Sequence, residues 1–199
     1  MAYSSGFNPH PRISYAGAAP TGSASEAEYL EIGLAEEVEP ATVLRQLDEA
    51  LPDGLDVLEV VDAATLVPEG SGKSSLADLL EASRWSVDTP ADPAGALAAV
   101  QMFLAADSVV VERMTKKGLR SFDCRAAVAS MSVVPLASGA RLDLVLRHTV
   151  PAVRPDDVLT GMTRLTAFEP GSAPLLTRLQ QGRLDPETGE IGDPFQISS

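Results

Sequence analysis

The chain has 199 residues, of which 45% are hydrophobic and 22% are charged, and its formal net charge is −13. A chain of this length forms one domain or two small ones, and it buries roughly 70% of the surface that its unfolded form exposes. No apolar run approaches the ~20 residues that span a bilayer, and the first residues lack the basic and apolar regions of a secretory signal. We therefore predict a cytoplasmic protein.

The residues that bind metals best are scarce in this chain. Its one cysteine, Cys124, excludes an internal disulfide, a cysteine-based zinc site and an iron–sulfur cluster held by this chain alone. Its two histidines, His10 and His148, are too few for a three-histidine zinc site within one copy. We predict no metal site and no cofactor on this chain, and we interpret Cys124 as a buried structural thiol.

Charge is distributed unevenly along the sequence. Residues 1–108 carry a net charge of −14, residues 109–184 a net charge of +5, and the remaining residues a net charge of −4. This division fits two halves with different partners, but acidic solvated faces are common in proteins and are the favoured interpretation.

Hydrophobic periodicity predicts that residues 1–66 form the elements ββαβ. Residues 13–18 and 28–34 have the character of half-buried strands, a helix begins at Pro40, and residues 55–61 are apolar enough for a buried strand.

Two segments rich in turn-forming residues flank the second half. Residues 67–75 combine Pro, Gly and Ser and predict a connector. Within them, residues 70–74 (GSGKS) match the last residues of the phosphate-binding P-loop motif. Val67 occupies the position where that motif requires its first glycine, which favours the connector. Residues 185–199 are acidic and weakly apolar, and we predict a flexible tail.

The second half, residues 76–184, alternates helical and strand patterns, with Pro residues that mark the starts of two helices. Two hairpins separate those helices. The helices are predicted at residues 76–80, 92–106 and 155–165, and the strands at residues 84–88, 109–114, 119–124, 131–136 and 141–149.

The loop sequence GFNPHPR at residues 6–12 holds the densest cluster of functionally capable side chains. Two prolines stiffen a backbone that carries an imidazole and a guanidinium, which lowers the entropy cost of holding them against a ligand. In the alternative, Phe7 packs in the core while Asn8 and His10 bond the backbone of the turn. His10 and Arg12 are the candidate catalytic residues. The candidate ligand-binding residues are Gly6, Phe7, Asn8, Pro9, His10 and Arg12.

Five cations fall within one predicted hairpin and make it a candidate nucleic-acid contact, because each neutralised phosphate adds a salt-dependent share of affinity. In the alternative, lysines protect an edge strand from aggregation, and the low aromatic content offers little base stacking. These residues are Arg113, Lys116, Lys117, Arg120 and Arg125.

The sequence of residues 3–34, YSSGFNPHPRISYAGAAPTGSASEAEYLEIGL, resembles the radical-SAM-linked domain family, a domain of unknown function. Members of that family are fused behind B12-binding-type radical SAM proteins or are encoded as small chains beside one. A looser similarity extends to about Leu184. The resemblance is carried by the GFNPHPR string and by Gly22, Ser25, Glu26, Glu28 and Tyr29.

The resemblance implies an α+β fold of two ferredoxin-like α/β-sandwich halves with antiparallel sheets. Family members have a further upstream strand, a Ser-His-Leu-Asp type motif and a helix, which would complete the first βαββαβ unit. That segment is absent from residues 1–66, so we expect a first half that is incomplete at its N-terminus and a natural protein that begins upstream of Met1.

The resemblance also implies a partner. A radical SAM protein would supply the iron–sulfur cluster, S-adenosylmethionine and, in B12-binding members, cobalamin. We expect a non-catalytic accessory protein that binds substrate for that enzyme, with tRNA or rRNA as the candidate substrate and with neither DNA nor a membrane as a partner. The alternatives are an independent enzyme that uses His10 and Arg12, and an interaction module whose acidic first half binds a basic protein.

Overall fold

The computed structural model describes residues 1–5, 7–66, 75–115 and 118–196. Their helices and strands form two compact units. Unit 1 holds the described residues within 1–18, 28–79 and 194–199, and unit 2 holds those within 19–27 and 80–193. The sheets are mostly antiparallel and the helices few, so the predicted α+β class is confirmed.

The elements follow the chain in the order predicted for most of its length. The helices are α1 (Pro40–Ala50), α2 (Ala63–Leu66), α3 (Pro93–Ala105) and α4 (Pro155–Leu165), with one 3-10 turn at Leu76–Leu79. The strands are β1 (Ile13–Ala16), β2 (Ala24–Ser25), β3 (Tyr29–Ile32), β4 (Ala82–Thr89), β5 (Val110–Thr115), β6 (Gly118–Asp123), β7 (Val128–Leu136), β8 (Gly139–Arg147), β9 (Leu175–Leu184) and β10 (Ile191–Gly192).

Unit 1 is built on a two-stranded antiparallel ribbon of β1 and β3, in which Tyr15 lies opposite Leu30. The predicted helix at Pro40 is confirmed, and its half-buried apolar residues lie on one side, as its spacing indicates. The predicted strand at residues 55–61 is wrong. Leu55 and Leu58 are exposed in that segment, which forms no ladder with another strand, and an apolar sequence becomes a strand only where a partner completes its hydrogen bonds.

Unit 2 contains a sheet with the strand order β10-β9-β4-β8-β7. The four strands β9-β4-β8-β7 are antiparallel neighbours, and with α3 and α4 they have the order of a ferredoxin-like βαββαβ unit. The β5–β6 hairpin is inserted between α3 and β7. The parallel pairing of β2 with β9 brings residues from before β3 into this unit.

The core of unit 2 fills the space between one face of this sheet and the two helices. Trp85 and Leu142 from the sheet cluster with Phe103 of α3 and Met162 of α4. Burial of each such side chain contributes about 1.5–3 kcal/mol. Asp92 begins α3, because its carboxylate accepts the Gly95 N–H at 2.8 Å, as the Asp-Pro start signal predicts.

Residues 185–196, part of the predicted tail, contain a turn and β10. The Asp185 N–H donates to the Glu190 carbonyl at 2.9 Å, and Ile191 is buried beside Ala82 and Val145. Most of the predicted connector, residues 67–74, lies outside the described residues. Among the helices that the structure describes, none has the length and apolar character to cross a membrane.

Candidate ligand-binding loop and basic hairpin

Residues 2–12 form a loop whose base is closed by three backbone hydrogen bonds. The Ala2 N–H donates to the Gly33 carbonyl at 2.7 Å, the Gly33 N–H donates to the Arg12 carbonyl at 2.7 Å, and the Arg12 N–H donates to the Ala2 carbonyl at 2.9 Å. This ring of bonds joins both arms of the loop to the chain that follows β3. The loop therefore begins and ends at a fixed place in unit 1.

A second set of bonds closes the loop nearer its tip. The Ser4 N–H donates to the His10 carbonyl at 2.8 Å, and the His10 N–H donates to the Ser4 hydroxyl at 3.0 Å. Tyr3 and Pro11 form a β-bridge between these bonds and the base. The backbone is thus braced on both sides of the residues that carry functional groups.

Within the described part of the loop, every residue beyond Ala2 is exposed. Phe7 is fully exposed, so the alternative in which it packs in the core is wrong. Asn8, His10 and Arg12 are also exposed, and no described residue hydrogen-bonds or ion-pairs with the imidazole of His10 or the guanidinium of Arg12. Pro9 is exposed as well, and Gly6 lies outside the described residues.

Arg12 is held by packing of its stem. A Cβ atom added at Gly33 would lie 2.9 Å from Arg12 Cβ and 3.5 Å from Arg12 Cδ, so the aliphatic part of Arg12 crosses the chain at Gly33. The stem of Arg12 therefore lies beside the backbone of Gly33, and its charged head is exposed. The loop offers a guanidinium, an imidazole and an aromatic ring, a set that binds anions and flat rings.

The basic hairpin β5–β6 uses two of its described arginines to hold the fold. Arg113 of β5 forms an ion pair with Asp157 of α4, donates to the Ala152 carbonyl at 2.9 Å and lies over the Phe122 ring at 5.0 Å. Arg125, just after β6, donates to the Leu104 carbonyl at 3.1 Å. Their guanidinium groups are occupied by protein partners.

Arg120 is the exposed arginine of the hairpin and lies directly opposite Arg113 in the ladder. Lys116 and Lys117 lie outside the described residues. Nucleic-acid binding by the hairpin stays a prediction, and its described cations offer one exposed guanidinium for it.

Two further residues named from the sequence have clear environments. Cys124 is buried, its Sγ lies 3.3 Å from the Val109 carbonyl oxygen, and burial raises the pKa of its thiol to about 12. It is a structural thiol, as predicted. The Nδ1 atom of His148 lies 2.7 Å from the Leu80 carbonyl oxygen, and partial burial lowers the pKa of its ring. Among the residues that the structure describes, no group of acids, histidines and cysteines is placed to hold a metal ion.

Sequence reasoning missed a row of polar side chains on the sheet face of unit 2 that lies opposite the helices. Arg84 and Asp88 of β4 are four residues apart, and Arg141 and Asp143 of β8 are two residues apart, so all four share that face. The alternation of polar and apolar residues in both strands was the available signal.

A family model described as an uncharacterised protein conserved in bacteria (DUF2344) matches residues 1–155. The description names neither an activity nor a partner. No curated protein and no solved structure matches the chain.

Proposed function

The chain belongs to the DUF2344 family of uncharacterised proteins conserved in bacteria, and from that premise we propose that it is a non-catalytic binding module that presents RNA to a partner radical SAM enzyme. The loop at residues 2–12 is the proposed RNA contact. Transfer RNA or ribosomal RNA is the proposed substrate, and the partner holds the iron–sulfur cluster, S-adenosylmethionine and cobalamin.

The observation that carries the proposal is the exposure of Phe7, His10 and Arg12 on a braced loop. Single-stranded RNA is bound by aromatic rings that stack on bases and by cations that contact phosphates. Phe7 supplies the ring and Arg12 the cation. Tyr3, also exposed, adds a second ring at the β-bridge.

The surroundings of His10 favour binding over catalysis. A general base works within hydrogen-bond reach of its substrate and is usually oriented by a neighbouring group. Among the described residues no carboxylate or hydroxyl contacts the His10 imidazole, and the residue is exposed. His10 is therefore proposed as a hydrogen-bond donor to RNA.

The acidity of the first half limits the kind of RNA that fits. Residues 1–66 hold 12 acidic and two basic residues, a net charge of −10, so a long duplex laid along this half would be repelled. A single-stranded segment or an unpaired end that touches the loop alone avoids that repulsion. We propose such a segment as the ligand.

An apolar face on the β1–β3 ribbon supports the proposed protein partner. Ile13 and Tyr15 are two residues apart on β1, and Leu30 lies opposite Tyr15 on β3, so the three share one face, and all are exposed. Exposed apolar patches of this kind mark protein interaction sites. The partner binds on this face, next to the loop.

Purification of a tagged full-length protein from its own cells tests the proposal. We expect a radical SAM protein and RNA to be recovered with the natural sequence. Phe7→Ala should lower the yield of RNA, whereas Leu58→Ala, which removes another exposed apolar side chain of unit 1, should leave it unchanged. Recovery of the chain alone, or a purified chain that turns over a substrate by itself, would contradict the proposal.

A further inference from the structure

The open face of the unit 2 sheet holds a small pocket that no family description assigns. It has a volume of about 170 Å³. Arg84 of β4 forms one side of it, Ser130 and Ser132 of β7 form the other, and Asp143 of β8 closes one end. Val145 lies between Arg84 and Ser130 in the ladder and makes the floor.

The charged groups of this pocket form no ion pair, whereas their charged neighbours on the same face do. Asp88 and Arg141 form a two-pronged ion pair, with N···O distances of 2.6 and 2.7 Å, and Ser86 donates to Asp88 at 3.4 Å. Within the described part of the chain, Arg84 and Asp143 make no ion pair with each other or with another residue. The pocket therefore presents one positive and one negative group that form no close ion pair, although Asp143 lies near enough to Arg141 to interact with its charge.

Arg84 also has a buried polar atom that the protein does not satisfy. Its Nε is closed off from solvent and has no hydrogen-bond acceptor. A buried donor without an acceptor is not compensated for its lost hydration. The two terminal nitrogens of a guanidinium match the two oxygens of a carboxylate.

The charge pattern and the size of the pocket limit its ligand. A simple anion bound to Arg84 would face the Asp143 carboxylate, and a simple cation bound to Asp143 would face the Arg84 guanidinium, so a ligand with both charges fits best. The volume is below the 300–1,000 Å³ of typical sites for drug-sized ligands, which restricts the ligand to a small molecule.

We propose that this pocket binds a free α-amino acid with a short side chain. The carboxylate of the ligand accepts from Arg84, its ammonium donates to Asp143, and the hydroxyls of Ser130 and Ser132 complete the contacts. The site shares no residue with the loop at residues 2–12, so amino acid binding here does not depend on the function proposed for that loop.

Titration of the isotope-labelled full-length chain with glycine, alanine and serine, followed by amide NMR spectra, tests this site. We expect saturable shifts confined to β4, β7 and β8. Acetate and methylammonium, which carry one charge each, should bind at least about tenfold more weakly, because each lacks one charged hydrogen bond.

Substitutions of pocket residues test which side chains contact the bound amino acid. Arg84→Gln and Asp143→Asn should each weaken binding by about tenfold or more, and Arg120→Gln, at an exposed arginine of the β5–β6 hairpin outside the pocket, should leave the affinity unchanged. The proposal is overturned if no amino acid gives saturable shifts, if acetate binds as tightly as glycine, or if both pocket variants keep the natural affinity. If Arg84→Gln does not fold, a folded Asp143→Asn variant that keeps the natural affinity is enough to overturn the proposal.

Discussion

Replacement of Arg113 by alanine should destabilise unit 2, although the residue lies in a hairpin that is a candidate nucleic-acid contact from its sequence. The side chains of Arg113 and Asp157 are 22% and 7% exposed. Alanine would leave the Asp157 carboxylate without its cation, and the Ala152 carbonyl and the Phe122 ring would lose their contacts with the guanidinium.

The size of the effect follows from the burial of the pair. Removal of one partner of a buried ion pair costs about 3–5 kcal/mol. Arg113 keeps some contact with solvent, and Asp157 still accepts the Arg154 N–H at 2.8 Å, so we expect the lower end, about 3 kcal/mol. For a chain of this length that loss lowers the melting temperature by about 6–12 °C.

Arg120→Ala is the matched control, because Arg120 lies opposite Arg113 in the same ladder and is exposed. Its effect should stay within about 0.5 kcal/mol. Urea unfolding followed by the fluorescence of Trp85, the single tryptophan and a buried residue of unit 2, measures both variants. Equal and small losses in the two variants would show that the ion pair does not stabilise the fold.

Three further outcomes follow from packing and burial. Gly161→Ala in α4 should destabilise the fold by about 1–3 kcal/mol, because the added Cβ would lie 2.7 Å from Cys124 Sγ. Gly95→Ala in α3 should stabilise the fold by up to about 1 kcal/mol, because its Cβ would meet only a carboxylate oxygen, at 3.6 Å. Changes of the opposite sign in urea unfolding would contradict this. The Cys124 thiol, whose pKa burial raises to about 12, should resist alkylation until the chain unfolds, and rapid labelling of the folded protein would refute that. Partial burial lowers the pKa of His148 from 6.5, so the unfolded chain binds the proton more tightly than the folded chain does. The free energy of unfolding should therefore fall as the pH drops below about 6.5. A His148→Gln variant with the same pH profile as the natural sequence would contradict this.

The parts of the fold that local signals determine could be predicted from the sequence. Helix α3 has an Asp cap followed by Pro93, and α4 begins with Pro155, and both start where those residues indicate. The hairpin strands β5 to β8 follow their hydrophobic patterns. These signals depend on residues that are close together in the sequence.

Strand β9 was not predicted, because its stability depends on distant partners. Its Arg178 and Gln181 look like surface residues in the sequence and are buried in the structure. The Arg178 Nε donates to the Ser25 hydroxyl at 3.2 Å, and the Gln181 amide donates to the Ala27 carbonyl at 2.6 Å. A polar side chain can be buried where such partners exist, and the sequence does not show that Ser25 and Ala27 supply them.

The candidate site residues also differ in how well their sequence predicts their role. The loop chemistry of His10 and Arg12 was evident from residue types alone, and both side chains are exposed. The partner of Arg113 is 44 residues away, so the sequence shows the charge of Arg113 but not the ion pair that it forms. A count of charges within a hairpin cannot separate a cation that holds the fold from one that binds phosphate.

The most direct measurement of the central claim is the affinity of the purified full-length chain for a labelled single-stranded RNA at two salt concentrations. We expect Phe7→Ala to weaken binding by about tenfold through lost stacking, and Arg12→Ala to weaken it and to reduce its salt dependence by about one phosphate contact. Leu58→Ala should bind as the natural sequence does. RNA affinity that is absent, or that is the same in all four proteins, would contradict a binding role for the loop.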